Sequence, residues 1–338
     1  MTGNATPAPS AAAPPSRLER IRAPVRGRLS GVDAEIRRIV LSDFDMIAEV
    51  NDALDRMQGK LFRPTLLLLV NEAGGNPHED AISLAAVVEL VHLATLVHDD
   101  AVDHSVLRRG LPTVNHLWSH QVAIIAGDYL YTRAMVELGR IGRIEPIRAL
   151  ARAANAMTVG EFRQLTSRDA LDFGEEDYTN LIAAKTASLM SAACEIGALV
   201  GAEEYREDFR AFGHALGMAF QVADDLLDYE GKEELTGKPT GHDLRERKVT
   251  LPLIHAFREG DEAEREVIRD FFTLAEPDDE QISRVISIVA GRGGLEYARA
   301  EARRYATSAE DALARAGGDS RALDALRAAI DYAVERRR

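Results

Sequence analysis

The sequence predicts an all-α fold, and three observations support that prediction. Apolar residues recur every three or four positions along most of the chain, which is the spacing of one helix face. Five of the twelve prolines lie in the first 24 residues, so a long body contains few of the residues that break helices. An alternating strand pattern and an Asn-Gly hairpin are both missing from the sequence. A helical bundle is therefore the expected architecture.

The chain has 338 residues, with 41 basic and 55 acidic side chains and a net charge of −14. This acidic balance argues against nucleic acid or an anionic membrane surface as the main partner. The single cysteine, Cys194, excludes a disulfide framework and a Cys-rich zinc site. It fits a reducing compartment, and we expect a cytoplasmic protein.

The domain organisation is predicted to be simple. Residues 1–16 carry no charged side chain and are rich in Ala and Pro, which predicts a disordered N-terminal tail and lacks the basic start of a secretory signal. Residues 17–338 contain no linker that would divide them, so we expect one all-α domain there.

Helices are predicted in order along the chain. The apolar spacing between Leu18 and Leu54 is helical, and Pro64 fits the first turn of a helix over Thr65–Ala73. A long apolar helix is expected from about Asp80 to Asp103, followed by a turn at Gly110–Pro112. Further helices are predicted at about 119–139, 144–168, 175–200, 205–229, 249–272, 278–291, 294–315 and 320–336.

Two segments, 81–97 and 185–202, are apolar on nearly all sides, which predicts helices in the middle of a bundle. The first is interrupted by Ser83, Glu89, His92 and Thr95, so we expect no transmembrane segment.

Two acidic motifs carry the candidate chemistry. Each reads Asp-Asp-x-x-Asp at the C-terminal end of a strongly apolar helix, and the first and last aspartates share one helix face about 6 Å apart. The members are Asp99, Asp100 and Asp103 in the first motif and Asp224, Asp225 and Asp228 in the second.

One such cluster alone is ordinarily a solvated helix end. Aspartate is, however, disfavoured near the negative end of a helix, so three of them require compensation that bound cations supply. Carboxylates suit Mg²⁺, whose coordination is commonly completed by substrate phosphates. Two facing clusters would therefore hold a diphosphate.

Lysines and arginines must meet the diphosphate oxygens that the metal does not. The candidates are Lys60, Arg63, Arg108, Arg109, Lys185, Lys238 and Lys248. Lys60, Lys238 and Lys248 are each compatible with a solvated loop charge, and both arginines after the first motif are compatible with a pairing to Asp103. Lys185 lies in an apolar helix and requires a buried anionic partner.

Further short elements occur in a fixed order between Leu54 and Pro252. They are Gly59-Lys60-x-x-Arg63-Pro64, Gly127-Asp128-Tyr129-Leu130, Gly160-Glu161-x-x-Gln164, Lys185-Thr186-Ala187 and Gly241-x-Asp243-Leu244-x-x-x-Lys248-x-Thr250-Leu251-Pro252. With both aspartate motifs, this series resembles the trans-isoprenyl diphosphate synthases (polyprenyl synthetases). Gln58 departs from the second glycine that many members carry.

The resemblance implies an isoprenoid-synthase-type helical bundle, with central helices around a deep apolar cavity, in a homodimer. It implies condensation of isopentenyl diphosphate with an allylic diphosphate, assisted by three Mg²⁺ ions per active site. The implied metal ligands are Asp99, Asp103 and Asp224, supported by Asp100, Asp225 and Asp228.

The implied contacts to the allylic diphosphate come from Arg108, Lys185, Thr186, Gln221 and Lys248, with Lys238 as a further substrate-binding candidate. Isopentenyl diphosphate would bind Lys60, Arg63, His92 and Arg109. His92 is also compatible with a satisfied core histidine.

The length of the product chain is predicted from the residues one turn below the first aspartate motif. In the family, large aromatic residues at the positions of Ala94 and Thr95 stop elongation, and both residues are small here. The product is therefore expected to exceed C20, with its chain running past Val91 towards a floor at Met135 or Leu138. The alternative is that a neighbouring helix or subunit closes the tunnel higher up.

Four other functions are alternatives for this sequence. A short-chain farnesyl or geranylgeranyl synthase is one alternative. The second aspartate motif argues against a terpene cyclase. Glu89-x-x-His92 matches a di-iron bundle motif but occurs once, where such a site needs two copies. A non-catalytic partner subunit would be expected to lack an aspartate triplet or Arg108 and Arg109, and all are present.

Overall fold

The structure is a computed structural model that describes residues 15–57, 59–166, 170–230 and 241–335. The all-α prediction is confirmed, because helices form nearly all the regular structure in these ranges. In chain order they are α1 (Arg17–Arg22), α2 (Arg26–Ile39), α3 (Asp45–Arg56), α4 (Phe62–Ala73), α5 (Asp80–Val102), α6 (Val114–Leu117), α7 (His120–Ile141), α8 (Ile144–Thr166), α9 (Glu175–Ile182), α10 (Ser188–Leu199), α11 (Arg206–Glu230), α12 (His242–Arg245), α13 (Leu251–Glu259), α14 (Glu262–Thr273), α15 (Asp279–Gly291), α16 (Gly294–Arg315) and α17 (Ser320–Val334).

Two long helices form the centre of the bundle. Helix α5 packs against α7, α2 and α4, and α11 packs against α16 and α10. Burial on most sides is what the nearly continuous apolar sequence of α5 predicts. Both helices end at an aspartate motif, so the fold brings two sets of carboxylates to the ends of its central elements.

Helices α5 and α9–α10 are long and apolar enough to cross a membrane, but 67% and 61% of their apolar windows are buried inside the structure. Such burial is typical of core helices, in agreement with the sequence prediction.

A short 3₁₀ turn at Ala23–Val25 separates α1 from α2, and side-chain caps start several other helices. Ser16 caps α1 through a reciprocal bond pair with Glu19, and Asp261 and Asp278 cap α14 and α15 in the same way. Of the predicted tail, only Pro15 and Ser16 lie within the described residues.

Three local predictions were wrong. The helix expected over 249–272 is divided into α13 and α14, because Gly260 adopts an extended conformation and Asp261 caps a new helix. The helix expected over 175–200 contains a π-helical turn at Ala183–Ala187. The expected turn at Gly110–Pro112 is part of a small antiparallel hairpin of β1 (Leu107–Arg108) and β2 (Leu111–Pro112).

The hairpin has a two-residue turn in which both residues are left-handed, Arg109 at φ 54° and Gly110 at φ 77°. This is the geometry of a type I′ turn, which normally selects Asn-Gly. A turn was predicted here but the hairpin was not, because arginine is an unusual residue at the first position of such a hairpin turn.

Candidate active site

The first aspartate motif occupies the C-terminal end of α5. Asp100 is buried, and both of its carboxylate oxygens accept hydrogen bonds of 2.9 Å from Nε of Arg108, which lies in the hairpin. Nη2 of Arg108 is also 2.8 Å from Oδ1 of the same residue. The ion pair thus forms with Asp100 and not with Asp103, which ends the helix at an exposed position.

Asp99 has different neighbours from Asp100. Its Oδ2 lies 3.9 Å from Nζ of Lys185. Burial raises the pKa of Asp99 to about 6; Lys185 opposes this effect, and the nearby Glu161 and Asp103 add to it. At this end of α5, Asp100 is therefore paired with Arg108, whereas Lys185 offsets the effect of burial on Asp99 only in part.

The second motif occupies the C-terminal end of α11 and places its three carboxylates in different environments. Asp224 is exposed, whereas Asp225 is buried. The carboxylate of Asp228 accepts hydrogen bonds from the backbone N–H groups of His242 and Asp243, at 3.1 and 2.9 Å. Asp228 thereby fixes the segment that leads towards Lys248.

Asp225 is held from two sides. It accepts a 2.5 Å hydrogen bond from the hydroxyl of Tyr178 at Oδ2 and a 2.8 Å bond from Nε2 of Gln221 at Oδ1. Burial raises the pKa of Asp225 to about 8, with a further contribution from Asp243, although both hydrogen bonds favour the ionised form. The raised pKa of Asp225 thus reflects mainly the burial of its carboxyl group.

Lys185 and Thr186 lie in the π-helical turn between α9 and α10. Nζ of Lys185 is 2.6 Å from Oε1 of Glu161 and 3.3 Å from Oε1 of Gln164, both on α8. The hydroxyl of Thr186 donates a 2.7 Å hydrogen bond to Oε1 of Gln221 on α11. Lys185 thus reaches Asp99 of the first motif, and its neighbour Thr186 contacts α11, which carries the second motif. The π-helical turn therefore lies between the two motifs.

Two glycines permit this turn to pack closely against its neighbours. A Cβ atom at Gly160 would lie 2.9 Å from Cβ of Ala184, and one at Gly217 would lie 2.5 Å from Cα of Ala187. Any side chain at these positions would displace the turn. π-turns inside helices are frequently found at functional sites, and this one carries two of the candidate ligands.

Lys248 connects the two ends of the site. Its Nζ donates a 2.6 Å hydrogen bond to Oε2 of Glu246. Burial lowers the pKa of Lys248, but Glu246, Asp243 and Asp103 together raise it above its ordinary value. Asp103 belongs to the first motif, so the segment after the second motif lies within electrostatic range of the first.

The carboxylate oxygens at the two helix ends are of the kind that binds divalent cations. Asp99, Asp103 and Asp224 offer hard carboxylate oxygens at two neighbouring helix ends, and Glu161 and Asp103 add negative charge near Asp99. In the described part of the chain, no three ligating side chains converge tightly enough to enclose an ion by themselves. An ion bound here would therefore need oxygens from water or a phosphate, as Mg²⁺ usually does.

A second basic group surrounds the start of α4. Lys60 is exposed in the preceding loop, and its Nζ lies 3.3 Å from the hydroxyl of Tyr332 on α17. Arg109 donates a 3.0 Å hydrogen bond from Nη1 to the carbonyl of Met57, and its guanidinium lies against Gly59, where a Cβ atom would be 3.0 Å away. The left-handed backbone of Arg109 costs about 1 kcal/mol and directs this side chain across the loop.

His92 and Arg63 complete this group beneath the surface. Burial lowers the pKa of His92 well below its ordinary value, and repulsion from Arg63, Arg108 and Arg109 lowers it further, so the imidazole is neutral at pH 7. Burial also lowers the pKa of Arg63, an effect that Glu89 opposes. Repelling cations gathered in one place indicate an anion-binding site.

The predicted chain-length residues lie below the first motif. Ala94 and Val91 are buried on α5, and Thr95 is half-buried, with its hydroxyl bonded to the carbonyl of His92 at 2.7 Å. Met135 on α7 is half-buried against the same core. Positions 91, 94 and 95 carry valine, alanine and threonine, so none of these three described residues has a large aromatic side chain.

Lys238 lies outside the described residues. Sequence reasoning assigned no role to Tyr178, Glu246 or Tyr332, which contact the candidate residues. Glu161 and Gln164 had a usable signal, because their spacing of three puts them on one helix face. Tyr178 had no such signal in the sequence, since its partner Asp225 lies 47 positions away.

Comparison with known proteins gives a consistent result. The family model described as Polyprenyl synthetase matches residues 45–289. An all-trans-nonaprenyl-diphosphate synthase (geranyl-diphosphate specific) of Rhodobacter capsulatus is 37% identical over 295 residues, covering 87% of this chain and 90% of that protein. An octaprenyl diphosphate synthase of Escherichia coli is 34% identical over 304 residues, covering 88% of this chain and 92% of that protein.

Solved structures agree with these relatives. A decaprenyl diphosphate synthase from Rhodobacter capsulatus superposes with a TM-score of 0.89 at 37% identity, covering 95% of this chain and 99% of the other. A Caulobacter crescentus polyprenyl synthase, solved with calcium and isoprenyl diphosphate, gives a TM-score of 0.88 at 34% identity, covering 96% of this chain and 100% of the other.

A relative of a different kind is also found by sequence. A Mycobacterium bovis (2E,6E)-farnesyl diphosphate synthase is 33% identical over 328 residues, covering 94% of this chain and 91% of that protein.

Proposed function

Because the chain belongs to the polyprenyl synthetase family, we propose that it condenses isopentenyl diphosphate with an allylic diphosphate at the two aspartate motifs. The chain is a prenyltransferase, and its relatives named octaprenyl and nonaprenyl diphosphate synthase support the long-chain type. One observation carries the assignment of the site: the ends of α5 and α11 flank the π-turn of Lys185 and Thr186.

Mg²⁺ is the proposed cofactor, three ions per active site, and the proposed ligands are Asp99, Asp103 and Asp224. The ions would supply Lewis-acid stabilisation of the negative charge that grows on the departing diphosphate. Asp100, Asp225 and Asp228 support these ligands. Asp100 is fixed by Arg108, and Asp228 fixes the segment towards Lys248.

The cationic side chains have distinct proposed roles. Lys185, Lys248 and Arg108 would bind the diphosphate of the allylic substrate, and Lys60, Arg63 and Arg109 would bind that of isopentenyl diphosphate. Because His92 is neutral, it can donate to a phosphate oxygen without a protonation change. Two separate anion sites would hold the substrates side by side, which removes much of the entropic barrier.

The reaction needs no protein nucleophile. The allylic C–O bond breaks, diphosphate leaves, and the double bond of isopentenyl diphosphate attacks the C1 carbon. A proton is then lost, and the released diphosphate is the proposed acceptor. The apolar wall of α5 would exclude water that would otherwise trap the carbocation.

We propose a product longer than C20, because Ala94 and Thr95 leave the first turn below the motif without a bulky side chain. The alternative is a short-chain product, which the farnesyl diphosphate synthase among the relatives keeps open.

A homodimer is proposed from an exposed apolar surface on the hairpin, α6 and α7. Its members are Val106 at 53% exposure, Leu107 at 60%, Leu117 at 47%, Ile125 at 66% and Val136 at 62%. Such a concentration of exposed apolar side chains is typical of an interaction surface. We place the protein in the cytoplasm, in keeping with its single buried cysteine.

The test is a prenyl-transfer assay with Mg²⁺, isopentenyl diphosphate and, in separate reactions, geranyl, farnesyl or geranylgeranyl diphosphate. We expect diphosphate release that stops on chelation with EDTA. Mass spectrometry of the extracted products is expected to give a ladder that ends above C20. A ladder that ends at C15 or C20 would establish the short-chain alternative, and no release with any primer would overturn the proposed function.

A further inference from the structure

The hydroxyl of Tyr178 lies 2.5 Å from Oδ2 of Asp225. Both side chains are buried, with Tyr178 at 2% exposure and Asp225 at 7%. A hydrogen bond between a hydroxyl and a carboxyl oxygen at this distance lies at the short end of the O–H···O range. Tyr178 therefore contacts Oδ2 of Asp225, the buried aspartate of the second motif.

This contact closes a chain of three hydrogen bonds. Thr186 donates to Gln221 at 2.7 Å, Gln221 donates to Asp225 at 2.8 Å, and Tyr178 donates to Asp225 from the other side. Tyr178 and Thr186 belong to the continuous segment of α9 and the π-turn, whereas Gln221 and Asp225 belong to α11. The two segments are thus clamped at two points, which are eight residues apart on the first segment and one turn apart on α11.

The clamp lies between groups that both serve the diphosphate site. Lys185 is adjacent to Thr186 and reaches Asp99, and Asp224 is adjacent to Asp225. Because both carboxylate oxygens of Asp225 are occupied from inside the protein, its side chain cannot turn outwards without breaking a buried bond. The orientation of the end of α11 therefore depends on the Tyr178 hydroxyl.

We propose that Tyr178 is a positioning residue that holds Asp225, and with it the second aspartate motif, in register with Lys185 and Thr186. The proposal rests on the proposed function of that site. Tyr178 touches no reacting atom in this scheme; it acts through Asp225. Loss of its hydroxyl leaves a buried carboxylate oxygen without its donor, and removing one partner of such a bond is the costly case.

The experiment compares Tyr178→Phe with Tyr297→Phe. Tyr297 donates an equally short 2.5 Å bond to Glu175, a carboxylate at the start of the same helix α9 but outside the motifs. Each variant would be measured for its melting temperature alone, for the rise in melting temperature produced by Mg²⁺ with inorganic pyrophosphate, and for kcat and the half-saturating Mg²⁺ concentration.

We expect Tyr178→Phe to raise the half-saturating Mg²⁺ concentration about tenfold and to remove most of the thermal shift by Mg²⁺ and pyrophosphate. Tyr297→Phe should keep both near wild type. Equal behaviour of the two variants would overturn the proposal. So would a Tyr178→Phe protein that is unfolded, or destabilised with a normal thermal shift, because the tyrosine would then be purely structural.

A double-mutant cycle identifies the route of the effect. If Tyr178 acts through Asp225, adding Tyr178→Phe to Asp225→Asn should change the half-saturating Mg²⁺ concentration by less than twofold. Full additivity would overturn the proposal. Failure of the proposed function is distinguishable, since the wild-type protein would then lack prenyl transfer while the pyrophosphate shifts still report on Tyr178.

Discussion

Gly160 and Ala184 pack so closely that a Cβ atom on residue 160 would lie 2.9 Å from the Cβ of Ala184. Gly160 lies on α8 and Ala184 in the π-turn, next to Lys185. The distance is shorter than real Cβ contacts allow, and the far atom belongs to a short side chain that cannot move away by itself. The backbone of α8 or of the turn would have to shift.

We therefore expect Gly160→Ala to lower kcat at least tenfold, because the shift separates Lys185 from Glu161 and Asp99. Steady-state kinetics with the allylic substrate at saturation would measure it. Gly139→Ala is the matched control: Gly139 is also a helical glycine, a Cβ atom there meets nothing within 4 Å, and the change should be neutral or slightly stabilising. Normal activity in Gly160→Ala would show that the turn tolerates displacement.

Removal of a proposed metal ligand should abolish turnover without unfolding the protein. Asp99→Ala and Asp224→Ala each delete a carboxylate from the rim of the site, and we expect losses of about a thousandfold or more in kcat. Circular dichroism and melting temperature should stay close to wild type, since Asp224 is exposed and Asp99 is crowded by like charge. Asp324→Ala, on the outer surface of α17, is the control for loss of a carboxylate. Near-wild-type rates in either site variant would remove that residue from the mechanism.

Glu89 provides a pH-dependent stability that can be measured. Burial raises its pKa to about 7, with Arg63 and Arg109 opposing, and no group in the described ranges forms a hydrogen bond with Oε2. Between about pH 4.5 and 7 the folded protein therefore holds one proton more than the unfolded chain. Stability falls as the pH rises through that window, by about 3 kcal/mol in total.

Glu89→Gln removes this titration, so its stability relative to wild type should increase between pH 5 and pH 7.5. Urea unfolding at several pH values would give the difference, in which other titrating groups cancel. An exposed glutamate on α16, Glu310→Gln, should give a curve parallel to wild type. A Glu89→Gln curve parallel to wild type as well would show that Glu89 is ionised throughout.

The main parts of the site were predictable because they depend on local chemistry. Two Asp-Asp-x-x-Asp motifs at the ends of apolar helices indicate cation sites wherever those helices meet. Lys185 required an anionic partner because its surroundings are apolar, and the structure provides Glu161 and Asp99.

Other parts of the site and fold depend on contacts between segments that are distant in sequence, and no local sequence pattern predicts them. The residues of the π-turn, Ala183–Ala187, have an ordinary helical sequence; their irregularity accompanies close packing on Gly160 and Gly217. Tyr178 meets its partner across 47 positions, so neither periodicity nor spacing could identify it. The hairpin has strands of two residues, which are too short to show alternation.

The exposed apolar surface of the hairpin, α6 and α7 should mediate dimerisation. Ile125 and Val136 are eleven residues apart on α7 and therefore lie on one face. We expect Ile125→Glu to convert a dimer into a monomer in analytical ultracentrifugation, because a carboxylate would be buried without a partner. Ala314→Glu adds the same charge at an exposed position of α16 and should leave the dimer intact. A wild-type protein that sediments as a monomer would refute the proposed dimer.

Ala94→Phe should shorten the product if the growing chain passes along α5. Ala94 and Thr95 precede Asp99 by five and four residues, which places them about 6–8 Å below the proposed metal site. A phenyl ring there would block the tunnel within the first isoprene units, and the product ladder in mass spectrometry should shift to shorter chains.

Melting temperature distinguishes a tunnel from a packed core at the same position. A ring added to a filled core costs roughly 1–3 kcal/mol in strain, whereas a ring that enters an open tunnel costs little. We therefore expect the Ala94→Phe protein to melt close to wild type while its ladder shortens. Ala306→Phe, at a half-buried alanine of α16, controls for the general effect of a larger side chain and should leave the ladder unchanged. An unchanged ladder in Ala94→Phe would show that the chain takes another path through the bundle.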